Sequence, residues 1–136
     1  MSYSYFLQAH LHGGFQNVDT SKVLSIFEPY ITEKSETYID VKFDEENQCT
    51  IYIDTNEPAV TNLSVNRPGG CKKLAECLYN VMLLGNFVFY EPDGKQPIVL
   101  SSATASHMPE DMIDVLGKPA VARSLDKFLE LYFSNR

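Results

Sequence analysis

The chain has 136 residues, of which 44% are hydrophobic and 21% charged, and its formal net charge is -7. This length and composition are typical of one globular domain, so 1–136 is expected to fold as a single unit. No apolar run approaches the roughly 18 residues of a membrane span, and the first residues lack the pattern of a secretion signal. The three cysteines have no metal-site spacing, which favours reduced thiols and a cytoplasmic location.

Negative charge is concentrated in one part of the chain. Between Glu28 and Glu57 there are nine acidic residues against two basic ones, whereas the rest of the chain carries nine of each. The segment 58–75 contains three basic residues and no acidic one. This distribution indicates an acidic module beside a small basic corner. It argues against nucleic acid as a partner, because the acidic module would repel phosphates.

Alternation of apolar and polar residues predicts four strands in the first half of the chain. A helix with its cap residue among 19–21 follows the first strand. Pro29 should end or kink this helix, because proline lacks a backbone donor. The acidic segment 44–48 is the predicted turn between the second and third strands. The four predicted strands are 3–11, 38–43, 49–54 and 60–65.

The strongest helix signal lies between Gly69 and Asn86. Two glycines open this segment, and Gly85 with Asn86 supplies residue types that tolerate a left-handed C-terminal cap. Cys77 is expected in the core because it falls on the apolar stripe. The stripe has helical period and consists of Leu74, Cys77, Leu78, Val81 and Leu84.

A hairpin is predicted next, because the apolar segments 87–90 and 97–100 flank the turn-forming residues 91–95. The small, polar segment 101–106 is predicted to be a loop. The remaining predicted elements are a helix that starts at Pro109 and closes at Gly117, a short edge strand at 120–123, and a last helix capped by Ser124.

The order of these elements favours an α+β fold with two layers, in which helices pack on a mainly antiparallel sheet. A ferredoxin-like βαββαβ core with additions is a variant of this fold. The chain shows no internal repeat and no interdomain linker.

The acidic strands are the first candidate binding surface. Tyr38 and Tyr52 fall on the outward side of paired strands, among acidic residues. Aromatic side chains between like charges on a rigid sheet are typical of a protein-recognition surface, although a solubilising face has the same charges. The candidate partner-binding residues are Tyr38, Asp40, Asp44, Glu45, Glu46, Tyr52 and Asp54.

The start of the central helix is the alternative site. Cys71 lies beside two lysines, where a helix N-terminus can hold an anion and activate a thiol. The segment lacks the spacing of a phosphate-binding loop or of a thiol phosphatase, and a glycine turn before a helix explains it without a ligand. The candidate anion-binding residues are Arg67, Gly69, Gly70, Cys71 and Lys72.

A metal site has little support in the sequence. His10 and His12 are predicted to share one face of the first strand, as two ligands would. A site needs a third ligand, such as His107 or an acid, which no local spacing supplies. The acidic residues also lack the spacing and the glycine of a calcium loop. No metal, cofactor or catalytic residue is therefore predicted.

The chain resembles the small acidic cytoplasmic immunity proteins with which bacteria neutralise polymorphic or contact-dependent toxins. The resemblance lies in size, α+β pattern and the acidic, tyrosine-bearing module 38–54. It implies a non-enzyme that binds a basic toxin domain, often a nuclease, and covers its active site. Within it, residues 44–46 would steer a cationic partner, and Tyr38 with Tyr52 would anchor contacts.

Two other functions remain open from the sequence. One is a small enzyme or anion-binding domain at the start of the central helix. The other is a structural or phage-type assembly protein. No membrane partner is expected, and no oligomeric state is predicted.

Overall fold

The structure is a computed structural model that describes residues 4–66, 68, 70–92 and 95–134. Among these residues, no helix is both long and apolar enough to cross a membrane. The strands are β1 Ser4–Leu11, β2 Gly14–Phe15, β3 Val18–Asp19, β4 Ile31–Lys34, β5 Tyr38–Asp44, β6 Asn47–Tyr52, β7 Ala59–Val60, β8 Asn62–Asn66, β9 Phe87–Tyr90, β10 Ile98–Val99 and β11 Ala120–Val121. The helices are α1 Thr20–Phe27, α2 Lys72–Met82, α3 Ser102–Ser106, α4 Glu110–Leu116 and α5 Leu125–Ser134.

The main sheet has the strand order β11-β10-β9-β1-β8-β6-β5-β4, and β2 pairs with the end of β1. Of the strand pairs described, β10–β11 is parallel and the others are antiparallel. The predicted α+β fold with a mainly antiparallel sheet is therefore confirmed. The short pair β3–β7 lies outside this sheet.

The central strands have the split βαβ arrangement of a ferredoxin-like core. β1 runs parallel to β6 with β8 between them, and α1 lies in the connection. β8 runs parallel to β9 with β1 between them, and α2 lies in that connection. The hairpin of β4 and β5 is inserted after α1 and extends the sheet at one edge.

One face of the sheet packs against α1, α2 and α5. Burial alternates along β1, β5, β6 and β8, because successive side chains of a strand point to opposite faces. The buried side chains form one core with the apolar stripe of α2, which includes Cys77 as predicted. The largest side chains in this core are Phe27, Phe87, Phe89, Phe128 and Tyr132.

The other face of the sheet is covered at one end only. There α3, α4 and their connection pack over β9 and β10, where Val88, Val99 and Met108 are buried with Met112 and Ile113 against them. At the other end, the outward side chains of β5, β6 and β8 are partly or fully exposed. The molecule is therefore two layers thick at this end, as the sequence predicts for the whole chain.

The predicted helix starts depend on local residues, and the structure confirms them. Asp19 caps α1, where its carboxylate accepts from the backbone N–H of Ser21 at 2.9 Å. Ser124 caps α5, where its hydroxyl accepts from the backbone N–H of Lys127 at 3.1 Å. Pro29 lies in a single 3-10 turn directly after the end of α1.

The predicted left-handed cap at Gly85 and Asn86 is wrong. α2 ends at Met82, its cap residue Leu83 is right-handed, and the described glycines with positive φ are Gly13 and Gly117. Gly85 instead lies against a neighbouring segment: a Cβ there would meet the side-chain oxygen of Gln16 at 2.7 Å. Close packing therefore accounts for this glycine, rather than backbone conformation.

Two other local predictions are wrong in part. Segment 101–106 is not a loop but contains α3, because Ser101 accepts from the backbone N–H of Thr104 at 3.2 Å and caps a short helix. The predicted strand at 60–65 is divided, since β7 pairs with β3 and only β8 joins β6. β9 and β10 do pair antiparallel as predicted, although Asp93 and Gly94 of their turn lie outside the described residues.

Candidate binding surface on the open strand face

The uncovered end of the sheet presents a surface that we call the open strand face. Its side chains alternate with buried ones along β5, β6 and β8, so their outward direction follows from the strand period. Most are polar, and two are tyrosines. The face consists of Tyr38, Asp40, Lys42, Gln48, Thr50, Tyr52, Asn62, Ser64 and Asn66.

Tyr38 and Tyr52 form a cross-strand pair on this face. They lie directly opposite each other in β5 and β6, and their ring centroids are 6.5 Å apart at an interplanar angle of 65°. Tyr52 is 46% exposed. The hydroxyl of Tyr38 donates to a carboxylate oxygen of Glu33 at 2.9 Å, and this bond to a negative group raises the pKa of Tyr38. The pair therefore offers two ring surfaces in fixed positions.

Asp40 lies beside the tyrosine pair. Its Oδ1 accepts from the hydroxyl of Thr50, the cross-strand neighbour, at 2.6 Å. A depression of about 440 Å³ is lined by these residues together with Thr37, Tyr38 and Tyr52. The structure thus brings three of the predicted partner-binding residues into one site: Tyr38, Asp40 and Tyr52.

Two further depressions adjoin this one. The first, of about 320 Å³, shares Asp40 and Thr50 and extends to Gln48 and Asn66. The second, of about 150 Å³, shares Tyr52 and extends to Asp54, Asn62 and Ser64. Asp54 therefore lies on the opposite side of Tyr52 from Asp40. Among the described residues that line the three depressions there are two carboxylates and no basic side chain.

The strand register extends the aromatic pair into a row across five strands. Tyr52 is opposite Ser64 in β8, and Ser64 is opposite Phe6 in β1. Phe6 is opposite Tyr90 in β9, and their rings stack at 5.2 Å. Tyr90 packs against the buried cluster of Val88, Val99 and Met108, which Met112 and Ile113 of α4 also contact, so this cluster borders the row at its far end.

The acidic turn lies away from the tyrosine pair. β5 rises by about 3.3 Å per residue, so Asp44 is roughly 20 Å from Tyr38 along the strand. Asp44 closes the turn, because it accepts from the backbone N–H of Glu46 and from the side chain of Asn47. The Asn47 bond and then the Glu46 bond lower the pKa of Asp44. Asp44 thus stabilises the hairpin.

The other two acids of this turn are solvent-exposed. Glu45 forms an ion pair with Lys42 at 3.0 Å, and its side chain is 89% exposed. Glu46 is also exposed. An exposed pair of this kind contributes little to stability, about 0–1 kcal/mol. The predicted single cluster is therefore divided into a site at Tyr38, Asp40, Tyr52 and Asp54 and a separate exposed turn.

The start of α2, the alternative site, is described in part. Arg67 and Gly69 lie outside the described residues, whereas Gly70 and Lys72 are exposed. Cys71 precedes the helix and is only 7% exposed, so its thiol is directed into the core. Anion binding at this helix start stays a prediction.

The prediction that His10 and His12 share one strand face is wrong. β1 ends at Leu11, and His12 has a φ of 51° in the turn to β2. The backbone N–H of His12 donates to Nδ1 of His107 at 3.0 Å, and the two rings are 4.8 Å apart. Among the described residues, no group of three histidines, cysteines or acids is arranged to hold a metal ion.

Sequence reasoning missed the polar residues that complete the depressions. Thr50, Ser64 and Asn66 lie on the open strand face because β8 pairs with β6. The alternation of the sequence gives the outward direction of Thr50, but strand order alone decides that β8 is the neighbour. Phe6 and Tyr90 join the row for the same reason.

A scan against protein-family models and searches of curated proteins and of solved structures found no significant match to this chain.

Proposed function

We propose that this chain is a non-enzymatic cytoplasmic binding protein that neutralises a basic toxin domain, as the bacterial immunity proteins do, and that the open strand face is its binding surface. The observation that carries the proposal is the site at Tyr38, Asp40, Tyr52 and Asp54. There, the tyrosine pair is flanked by Asp40 in one depression and by Asp54, just after the end of β6, in the adjoining one, and no described helix covers this part of the sheet.

Charge supports a basic partner. The formal net charge is -7, and no basic side chain is found among the described residues that line the three depressions of the open strand face. Lys42, the one lysine of the open strand face, is paired with Glu45. Complementary charge raises the rate of association and excludes acidic partners such as nucleic acid.

The composition of the face supports protein recognition. Tyrosine, serine, threonine and asparagine combine large contact area at low entropic cost with adaptable hydrogen bonding, as in antibody binding sites. The tyrosines lie opposite each other at one end of β5 and β6, with Ser64 of β8 beside Tyr52, so a partner that covers this end of the face would exclude water from both rings. The exposed turn at Glu45 and Glu46 lies at the rim, where acids contribute to steering rather than to contact energy.

The proposal is tested by binding and by protection of cells. The chain is immobilised and used to capture its partner from a lysate of the source cell. The captured protein is identified and then expressed in cells with and without this chain. We expect a basic protein that is toxic alone and harmless when co-expressed. Its affinity should fall steeply with salt, and by about tenfold or more in Tyr52→Thr, because interface tyrosines commonly contribute over 1 kcal/mol.

A matched control separates the face from net charge. The double variant Asp40→Asn, Asp54→Asn should lose affinity, whereas Asp111→Asn, Asp114→Asn on α4 carries the same charge and should bind like the wild type. Equal affinity of both double variants would show that the open strand face is not the binding surface. A partner that is acidic, or whose toxicity the chain leaves unchanged, would contradict the proposed function.

A further inference from the structure

The depression beside the two tyrosines has the features of a site for one side chain. The rings of Tyr38 and Tyr52 border it and pack edge-to-face on each other, with centroids 6.5 Å apart at 65°, and Tyr52 is 46% exposed. Its remaining lining consists of the carboxylate of Asp40 and the hydroxyls of Thr37 and Thr50. The depression, of about 440 Å³, is shallow and open to solvent, so the end of a long side chain can enter it together with water.

The charges around this depression select a cation. Asp40 lies in its lining, Glu33 accepts from the hydroxyl of Tyr38, and Asp54 lies on the other side of Tyr52. No base is found among the described residues that line it. The faces of tyrosine rings are negative, so they attract a cation as the carboxylates do.

Hydrogen bonding around Asp40 favours a planar donor. The hydroxyl of Thr50 holds Oδ1 at 2.6 Å, which orients the carboxylate, and Oδ2 makes no hydrogen bond or ion pair to any described side chain. A guanidinium has a fixed fork of N–H donors, and its flat face stacks on an aromatic ring. A lysine ammonium has no flat face and is more strongly hydrated, so it gains less from the rings.

The geometry points to an arginine side chain of the partner as the occupant of this depression, which we call the arginine cleft, with its guanidinium stacked on the exposed ring of Tyr52 and bonded to Asp40. This inference rests on the proposed function for the source of the arginine. It adds the chemistry that the open strand face selects, namely a basic surface that presents an exposed arginine.

The cleft can be tested with small probes on the wild-type chain. The probe is the capped tripeptide acetyl-Gly-Arg-Gly-amide, followed by NMR through the ring signals of Tyr38 and Tyr52 and the methyl signal of Thr50 at low salt. Matched peptides carry lysine, which has charge without a plane, or citrulline, which has a plane without charge. We expect saturable shifts with arginine, an affinity about fivefold lower for lysine, and one at least about tenfold lower for citrulline.

Variants assign the binding to the named side chains. Asp40→Asn should weaken the arginine peptide by about tenfold, because it replaces a charge-assisted hydrogen bond by a neutral one. Asp114→Asn on α4 makes the same change of net charge and should leave the affinity unchanged. Tyr52→Thr keeps a good strand-forming residue and should also weaken binding.

The outcomes separate this inference from the proposed function. If arginine and lysine peptides bind alike, or if Asp40→Asn binds like Asp114→Asn, the arginine cleft is overturned. If this happens while a toxic basic partner still requires Tyr52 and Asp54, the proposed function stands without it. If the arginine peptide binds in the cleft but no toxic partner depends on the face, the cleft stands and the proposed function fails.

Discussion

His10 shows how burial changes the chemistry of one residue. Its side chain is 3% exposed and stacks on Phe15 with ring centroids 5.6 Å apart. Nδ1 lies 3.3 Å from the carbonyl oxygen of Gly14, and since a carbonyl only accepts, Nδ1 carries the proton. Nε2 is buried and has no hydrogen-bond partner among the described residues. Burial lowers the pKa of His10 below 6.5, with the Gly14 bond acting in the opposite direction.

This lowered pKa makes stability depend on pH. The folded chain keeps His10 neutral, so its contribution is complete above pH 6.5 and is lost as pH falls below that value, where the unfolded chain binds the proton. We expect the free energy of unfolding to fall from pH 7.5 to 5.5, with a slope of at most about 1.4 kcal/mol per pH unit. Urea denaturation at each pH measures it.

His10→Phe is the informative variant, because it keeps a ring against Phe15 and cannot titrate. Its unfolding free energy should be nearly constant over the same pH range, whereas His12→Asn should retain the wild-type slope. A slope that survives in His10→Phe would assign the pH dependence to another group.

Asp40 and Asp44 illustrate the limit of residue-level prediction. Both are acids on one strand, and the sequence assigns them to one binding surface. Asp44 lies in the turn, where it accepts hydrogen bonds from backbone and side-chain donors, whereas Asp40 lines the depression beside the tyrosines. The distinction depends on hydrogen-bond partners, which the spacing of acids does not specify.

Helices and strands are predicted best from local sequence where a capping residue or a clear periodicity of apolar residues is present. α5 begins at the predicted cap Ser124, and α1 begins at Asp19, one of three candidate caps in the sequence, because a side-chain acceptor satisfies the free N–H groups of a first turn. α3 was missed because its residues are small and polar, so no apolar stripe marks it, and Ser101 alone signals its start. The tight contact of Gly85 with Gln16 was missed because it joins distant segments.

α5 attaches to the sheet through one face, which a pair of variants can show. Phe128 is fully buried and contacts the rings of Phe89 and Tyr132, whereas Phe133 on the same helix is 37% exposed. Phe128→Ala should lower the free energy of unfolding by about 3–5 kcal/mol, from lost burial and the cavity that remains.

Phe133→Ala is the matched control and should cost about 1 kcal/mol or less, because much of this ring is already in water. Denaturant titration of both variants gives the two values. Similar losses of unfolding free energy in the two variants would mean that α5 packs on the rest of the protein through all of its faces rather than only through the face that carries Phe128. An unchanged stability in Phe128→Ala would show that α5 does not pack on the sheet.

At the scale of the whole molecule, the reactivity of the three cysteines shows whether the core unfolds as one cooperative unit. Cys49, Cys71 and Cys77 are free and buried. Burial raises the pKa of Cys49 to about 12 and that of Cys77 to about 11. The thiolate is the reactive form, so these two thiols are doubly protected in the folded chain.

We expect iodoacetamide at pH 8 to modify all three cysteines slowly and together, at a rate that increases with denaturant as the unfolded fraction does. Mass spectrometry of the intact chain should then show the unmodified and the triply modified species, with little in between, because an adduct on one buried thiol cannot be accommodated in the core and leaves the other two exposed. A single fast adduct on Cys71 in the folded chain would contradict this expectation and would favour the alternative site at the start of α2.

The sequence by itself determined the class of fold, the cap of α5, the three candidates for the cap of α1, the alternation of the main strands and the acidic character of the segment 28–57. These depend on neighbours in the chain, through hydrogen bonds of a turn, side-chain period and charge count. Only the tertiary structure decided which strands pair, that α3 and α4 leave one end of the sheet open, and that Tyr38, Asp40 and Tyr52 meet in one cleft. The physical reason is that contacts between segments far apart in sequence decide which strands pair and which part of the sheet the helices cover. The free energy of these contacts cannot be read from a local sequence pattern.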